Sequence, residues 1–124
     1  MAPVRVLIAD DHDLFARTLQ AVLEGDDRIH VIGRAREGKE AVRMALGESP
    51  DVVLMDLEMP IMDGFEATQQ LRGAGSQSKV LVLTSSDARN DAERAFAAGA
   101  AAFLTKDRVI QELKDAIVSL AQAT

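Results

Sequence analysis

Five polar side chains of this sequence are candidates for joint chemistry, because each stands at the end of a short apolar run or just beyond one. The set contains three carboxylates, one hydroxyl and one ammonium. Oxygen-rich clusters of this kind bind hard divalent cations, and a carboxylate can also act as a nucleophile toward phosphorus. The five residues, in chain order, are Asp10, Asp11, Asp56, Thr84 and Lys106.

The three carboxylates would repel one another if they were packed together, and this repulsion would raise at least one pKa. Mg²⁺ relieves the repulsion, since it prefers oxygen ligands and is commonly held by one or two carboxylates plus a phosphate. We therefore predict that Asp10, Asp11 and one oxygen of Asp56 hold Mg²⁺. The second Asp56 oxygen then accepts a phosphoryl group, whose oxygens are met by Lys106 and Thr84.

The hydropathy pattern predicts a scaffold that gathers these residues. Short apolar runs alternate with longer segments whose apolar residues recur every three or four positions, as in amphipathic helices. Three of the runs are almost continuously Val, Leu, Ile or Met, which favours strands covered on both faces. The predicted strands are 4–9, 29–33, 52–55, 80–83 and 101–104.

Five helices are predicted between and after these strands, and glycines mark the ends of four of them. Strand and helix therefore alternate five times, which predicts a doubly wound α/β fold with a parallel sheet and helices on both faces. Ligands of such folds bind beyond the carboxyl ends of the strands, where the candidate side chains would meet. The first predicted helix ends at Gly25, the second ends before Gly47, and the third runs from about Gly64 to Gly73. The fourth covers about 90–98, and the fifth has an apolar stripe from Ile110 to Leu120.

The composition narrows the function classes. A chain of 124 residues predicts one domain, 1–124. A net charge of −6 without Trp or Tyr argues against direct nucleic-acid binding, which uses basic surfaces and aromatic stacking. No apolar run reaches the roughly 18–20 residues that span a bilayer, and the first residues do not resemble a signal peptide. We therefore expect no membrane association and a cytoplasmic location.

Five sequence segments together resemble the receiver domain of two-component response regulators. The resemblance covers nearly the whole chain, and it is specific because the segments occur in the right order and at the predicted strand ends. It implies a flavodoxin-like strand order of 2-1-3-4-5. The segments are Ile8–His12, Asp51–Pro60, Met62–Gly64, Leu83–Ser85 and Gly99–Lys106.

The resemblance also implies a role for each matching residue. Asp56 would be the phosphoacceptor, and Mg²⁺ would be bound by Asp10, Asp11, Asp56 and the backbone carbonyl of Glu58. Thr84 would be the switch hydroxyl, Phe103 the switch aromatic and Lys106 the lysine that pairs with the phosphate. The implied protein is a signalling switch rather than an enzyme, limited to self-phosphorylation and slow autodephosphorylation.

The Asp10–His12 start and the Lys106–Asp107 pair look most like the NarL/FixJ (LuxR-type) subfamily. Its members usually carry a C-terminal helix-turn-helix domain that binds DNA, and that domain is absent from this chain. The implied phosphodonor is a sensor histidine kinase, and a homodimer is possible. The implied process is transcriptional regulation.

Each candidate residue also has a plainer interpretation. Asp10 and Asp11 could be helix N-caps or solvated loop acids, Thr84 an ordinary strand residue and Phe103 plain core. His12, beside two aspartates, is more typical of an exposed first-turn residue than of a metal ligand. Three rival functions stay open: an aspartyl phosphohydrolase, a flavin-binding domain, and a receiver-shaped dimerisation module that is never phosphorylated. We further expect Glu58 and Ser86 to tune the lifetime of the phosphorylated state.

Overall fold

The structure is a computed structural model that describes residues 2–85 and 89–123. Strands and helices alternate along the chain, as the hydropathy pattern predicts. The strands are β1 (Val4–Ala9), β2 (Ile29–Ala35), β3 (Val52–Asp56), β4 (Lys79–Thr84) and β5 (Ala102–Thr105). The helices are α1 (Asp13–Glu24), α2 (Gly38–Glu48), α3 (Gly64–Gly73), α4 (Arg89–Ala98) and α5 (Val109–Gln122).

The five strands form one parallel sheet in the order β2-β1-β3-β4-β5, which confirms the predicted fold. β3 lies at the centre of the sheet, and all five of its residues are buried. Its carboxyl end is flanked by the ends of β1 and β4. The topology therefore brings residues from distant parts of the sequence to one edge of the sheet.

Alternate residues of the central strands enter two separate cores. On one face, Val6, Ile8 and Leu54 pack with α1 and α5, and on the other face Leu7 and Met55 pack with the remaining helices. This arrangement explains the nearly continuous apolar runs, since strands covered on both faces need apolar side chains at every position. No helix in the described ranges is both long and apolar enough to cross a membrane.

The predicted boundaries differ from the structure in two informative places. β2 extends two residues beyond its predicted end, to Ala35, because Arg34 and Ala35 continue the pairing with β1. Helix α2 passes Gly47 and ends at Glu48. Ser49 ends the helix in a left-handed conformation, with φ of 49°, and its N–H bonds the Ala45 carbonyl. Left-handed residues commonly close helices in this way.

The pairing of β1 with β2 contains a bulge. Val6 pairs with Val31, whereas the next residue, Leu7, pairs with Gly33, so that Ile32 is the extra residue. A one-residue change of register moves all later side chains of a strand to the opposite face. The bulge therefore determines which face receives Arg34.

Candidate functional site

The structure brings the predicted acidic residues together at the carboxyl edge of the sheet. Asp10 and Asp11 follow β1, and Asp56 is the last residue of β3. Carboxylate oxygens of these three residues lie within 4.8 Å of one another. Asp11 and Asp56 border an open cleft of about 750 Å³. The cleft is lined by Asp11, His12, Asp56, Glu58, Met59, Pro60, Ser85 and Lys106.

Hydrogen bonds hold Asp10 in place, but one of its carboxylate oxygens has no hydrogen-bond partner. Its backbone N–H donates to the Ala35 carbonyl at 3.0 Å, and its Oδ1 accepts from the backbone N–H of His12 at 2.8 Å. Its side chain is only 1% exposed, and its Oδ2 has no hydrogen-bond partner. A buried carboxylate oxygen without a hydrogen bond is costly unless a cation meets it. The loop role expected from the plainer interpretation thus accounts for Oδ1 and not for Oδ2.

The carboxyl group of Asp56 has a raised pKa. Burial raises the pKa of its carboxyl to about 6, and the neighbouring charge of Asp10 adds to the increase. The charge of Lys106, a hydrogen bond from Lys106 and a hydrogen bond from the Glu58 backbone act in the opposite direction. The Asp56 carboxylate is therefore mostly ionised at neutral pH but poorly neutralised.

Lys106 supplies the cation of the site. Its Nζ lies 3.3 Å from Oδ1 of Asp56 and 3.4 Å from Oδ2 of Asp10. The same ammonium lies 4.4 Å from the centre of the Phe15 ring, a cation–π distance. Its backbone N–H donates to the Thr84 carbonyl at 2.7 Å, which fixes the segment after β5 against the end of β4. The contact with Phe15, a residue of α1, was not predicted.

Thr84 and Phe103 lie on neighbouring strands, as predicted. Thr84 ends β4, is 2% exposed and pairs with Thr105 of β5. Phe103 is half-buried, and its ring packs against the core on the α2–α4 side of the sheet. These positions agree with both core and switch interpretations. The switch roles of Thr84 and Phe103 stay predictions.

The loop between β3 and α3 is folded tightly against Asp56. The Gly64 N–H donates to the Leu57 carbonyl at 3.0 Å, and a side chain at position 64 would overlap the backbone carbonyl of Asp56. Asp63 caps α3, with its Oδ1 accepting from the backbone N–H of Glu66 at 2.9 Å. The Asp63-Gly64 pair thus allows the chain to turn directly beside the acid.

The predictions for Glu58, His12 and Ser86 have different outcomes. The Glu58 side chain is exposed at the rim of the cleft, and the proposed metal role of its carbonyl stays a prediction. His12 is the exposed N-cap residue of α1, and the metal-capable group found among the described residues does not include it. Ser86 lies outside the described residues, so the suggested influence of Glu58 and Ser86 on phosphoryl lifetime also stays a prediction.

The donor set fits Mg²⁺. All three side chains that converge are carboxylates, without sulfur or imidazole, and hard oxygen ligands favour Mg²⁺ over softer metals. The Oδ2 of Asp10 is buried and has no hydrogen bond, and the Lys106 ammonium 3.4 Å away is shared with Asp56, so this oxygen could serve as a metal ligand. Asp10, Asp11 and Asp56 are therefore the residues that could hold the ion.

Comparison with known proteins identifies the family of the chain. Residues 6–118 match the family model described as the response regulator receiver domain. The transcriptional regulatory protein LiaR of Bacillus subtilis is 45% identical over 114 residues, which cover 92% of this chain and 54% of LiaR. A nitrate/nitrite response regulator homologue of Haemophilus influenzae is 37% identical, with 96% of this chain and 57% of the relative covered. The chain thus spans about half the length of these relatives.

A solved structure gives the same result for the fold. The signal receiver domain of a NarL response regulator from Mycobacterium tuberculosis superposes with a TM-score of 0.96 and 31% identity, and all of both chains is covered. The strand order, the acidic cluster at the sheet edge and the family match therefore agree. The relative LiaR is a transcriptional regulatory protein. This chain belongs to the response regulator receiver domains of two-component systems.

Proposed function

We propose that this domain accepts a phosphoryl group on Asp56 and thereby changes the state of an output surface. The observation that carries the proposal is the position of Asp56. It ends the central strand, Lys106 lies 3.3 Å from its Oδ1, and Asp10 and Asp11 contribute oxygens to the same cluster. Receiver domains of this family generally bind Mg²⁺ and interact with histidine kinases. The proposed donor is therefore the phosphohistidine of a sensor kinase.

The transfer requires an ionised Asp56. An oxygen of its carboxylate attacks phosphorus, the bond from phosphorus to the donor breaks, and the donor leaves with the bonding electron pair. With a pKa of about 6, most of the Asp56 population is ionised at pH 7.5. Lys106 is close enough to neutralise an oxygen of the incoming group. Mg²⁺, held by Asp10, Asp11, Asp56 and the Glu58 carbonyl, would supply further positive charge toward the phosphoryl oxygens.

The output step is assigned to Thr84 and Phe103. A hydrogen bond from the Thr84 hydroxyl to the phosphoryl group would open space for the Phe103 ring to turn inward. That movement would reshape the surface formed by α4, β5 and α5. Shifting such an equilibrium from about 1:99 to 99:1 takes roughly 5.5 kcal/mol. Two or three charge-assisted hydrogen bonds, at about 1.5–3 kcal/mol each, supply a sum of that size.

The surrounding protein is assigned by analogy with the relatives. LiaR is a transcriptional regulatory protein, and this chain spans about half the length of LiaR and of the Haemophilus influenzae relative, so we assign DNA binding to a further domain outside residues 1–124. This domain would act on it through a partner surface or a homodimer, in the cytoplasm. The −6 net charge disfavours contact of the receiver itself with nucleic acid. Its own chemistry is confined to self-phosphorylation and slow autodephosphorylation.

Intact-mass measurement tests the proposal. Incubation with Mg²⁺ and acetyl phosphate should add one phosphoryl group to the wild-type domain and none in EDTA. Asp56→Asn should abolish the addition, whereas Asp51→Asn should not. Asp51 directly precedes β3, at the opposite end of the strand from Asp56, and its carboxylate accepts a hydrogen bond from the Arg5 backbone N–H at 2.8 Å. Continuous hydrolysis of acetyl phosphate without a retained label would instead indicate a phosphohydrolase, and an unlabelled dimer would indicate a dimerisation module.

A further inference from the structure

Arg34 contacts the backbone of the acidic loop from the neighbouring strand. Its Nε and Nη2 donate to the carbonyl oxygen of Asp10 at 3.1 and 2.9 Å, and its Nη1 donates to Oδ1 of Asp13 at 2.6 Å. The Arg34 side chain is only 15% exposed. One guanidinium thus connects the loop residue before α1 with the first residue of that helix. Planar, two-pronged contacts of this kind are specific to arginine.

The β2 bulge explains why Arg34 reaches this loop. With Ile32 as the extra residue, Arg34 pairs with Ile8, whose side chain faces α1 and α5. Without the bulge, Arg34 would pair with Ala9, whose side chain faces the opposite core. Bulges commonly redirect a side chain beside a functional site.

As a result, every polar atom of Asp10 except one takes part in a hydrogen bond. Its N–H, its carbonyl and its Oδ1 are bound by Ala35, Arg34 and the His12 N–H respectively. The Oδ2 alone lacks a hydrogen bond, and it lies 3.4 Å from the Lys106 ammonium that also contacts Asp56. We propose that Arg34 is a positioning residue of the metal site, because its two hydrogen bonds to the Asp10 carbonyl fix the direction of the Asp10 Oδ2. This inference rests on the proposed Mg²⁺ site.

Electrostatics alone makes the opposite prediction. Arg34 is a cation near a cation site, so removal of its charge would strengthen Mg²⁺ binding if charge were the main effect. Arg36 provides a matched control for this possibility. Its Nη1 contacts the same Asp13 Oδ1 at 2.8 Å, and no contact with Asp10 accompanies it among the described hydrogen bonds. Arg36→Gln removes the same charge without affecting the Asp10 carbonyl.

Metal affinity in solution tests the role of Arg34. Free Mn²⁺ is measured by electron paramagnetic resonance in titrations of the unphosphorylated domain, and Mg²⁺ is measured by competition. We expect Arg34→Gln to weaken both metals by about 10- to 100-fold, the usual effect of losing a residue that orients a ligand. Arg34→Lys keeps the charge but not the two-pronged contact, so it should also weaken binding. Arg36→Gln should stay within about twofold of wild type.

The outcomes separate this role from the proposed site and from general destabilisation. Thermal unfolding in EDTA should show folded variants with similar midpoints, and if Arg34→Gln does not fold, Arg34→Lys decides the question. Wild-type affinity in either folded Arg34 variant, or equal changes in the Arg34→Gln and Arg36→Gln domains, would overturn the positioning role alone. A wild-type domain that binds no Mn²⁺ or Mg²⁺ would overturn the metal site and the role of Arg34 together.

Discussion

The ammonium of Lys106 lies 3.3 Å from Oδ1 of Asp56, although the two residues are fifty positions apart in the sequence. The contact exists because β3 and β5 flank β4 and end at the same edge of the sheet. Lys106 also lies 3.4 Å from Asp10. A single ammonium is therefore shared between two buried carboxylates, one of which we propose as the nucleophile.

Removal of this ammonium should raise the pKa of Asp56 further above its usual value. In Lys106→Met, burial and the Asp10 charge would act without the opposing cation. Carbon-13 NMR of the side-chain carboxyls in EDTA should show Asp56 titrating at higher pH than in wild type. Phosphorylation by acetyl phosphate should slow by about 10²-fold, as for the loss of other groups that stabilise a transition state. Lys39→Met, an exposed residue of α2, is the control, and an equal pKa in both variants would contradict the account.

Asp56→Asn should stabilise the metal-free domain at neutral pH. The folded pKa of about 6 lies above the unfolded value of 3.8, so the folded state binds the proton more tightly. Between about pH 4 and pH 6 the ionisation of Asp56 therefore lowers stability, and above pH 6 the full cost of roughly 3 kcal/mol applies. Urea unfolding in EDTA should show a large advantage of the Asn variant at pH 7.5 and a small one at pH 4. The same difference at both pH values would contradict the raised pKa.

Two glycines should respond in opposite directions to alanine. Gly64→Ala would drive a methyl group into the backbone of Asp56 and Leu57, and overpacking of this kind costs about 1–3 kcal/mol. Gly47 lies inside α2 with nothing within 4 Å of an added Cβ, so Gly47→Ala should stabilise the domain by about 0.5–1 kcal/mol. Urea unfolding measures both changes. An unchanged stability of Gly64→Ala would show that the loop is not packed tightly against Asp56.

The sequence sufficed to predict the members of the acidic cluster. Asp10 and Asp56 each end an apolar run, and parallel strands converge at their carboxyl ends, so strand assignment alone brought the two acids together. Thr84 follows from the same rule at the end of β4. The apolar runs show where the central strands end, because strands that are buried on both faces are apolar at almost every position.

The supporting contacts depended on features that hydropathy does not encode. Arg34 was missed because the apolar run appeared to end at Gly33, whereas the bulge at Ile32 extends the pairing and turns Arg34 toward α1. The sequence did contain a signal for the longer strand, since Arg34 and Ala35 continue the run of strand-like residues. The contact between Phe15 and Lys106 joins a helix to a distant loop, and it depends on side-chain directions that only the tertiary structure supplies.

Chemical mapping of the phosphoryl group tests the central claim most directly. After treatment with acetyl phosphate and Mg²⁺, borohydride reduces an acyl phosphate to an alcohol, which converts the labelled aspartate to homoserine. Peptide mass spectrometry should find homoserine at position 56 and at no other aspartate, with none formed when Mg²⁺ is withheld. Homoserine at another aspartate, or a persistent label in Asp56→Asn, would contradict the assignment of Asp56 as the phosphoacceptor.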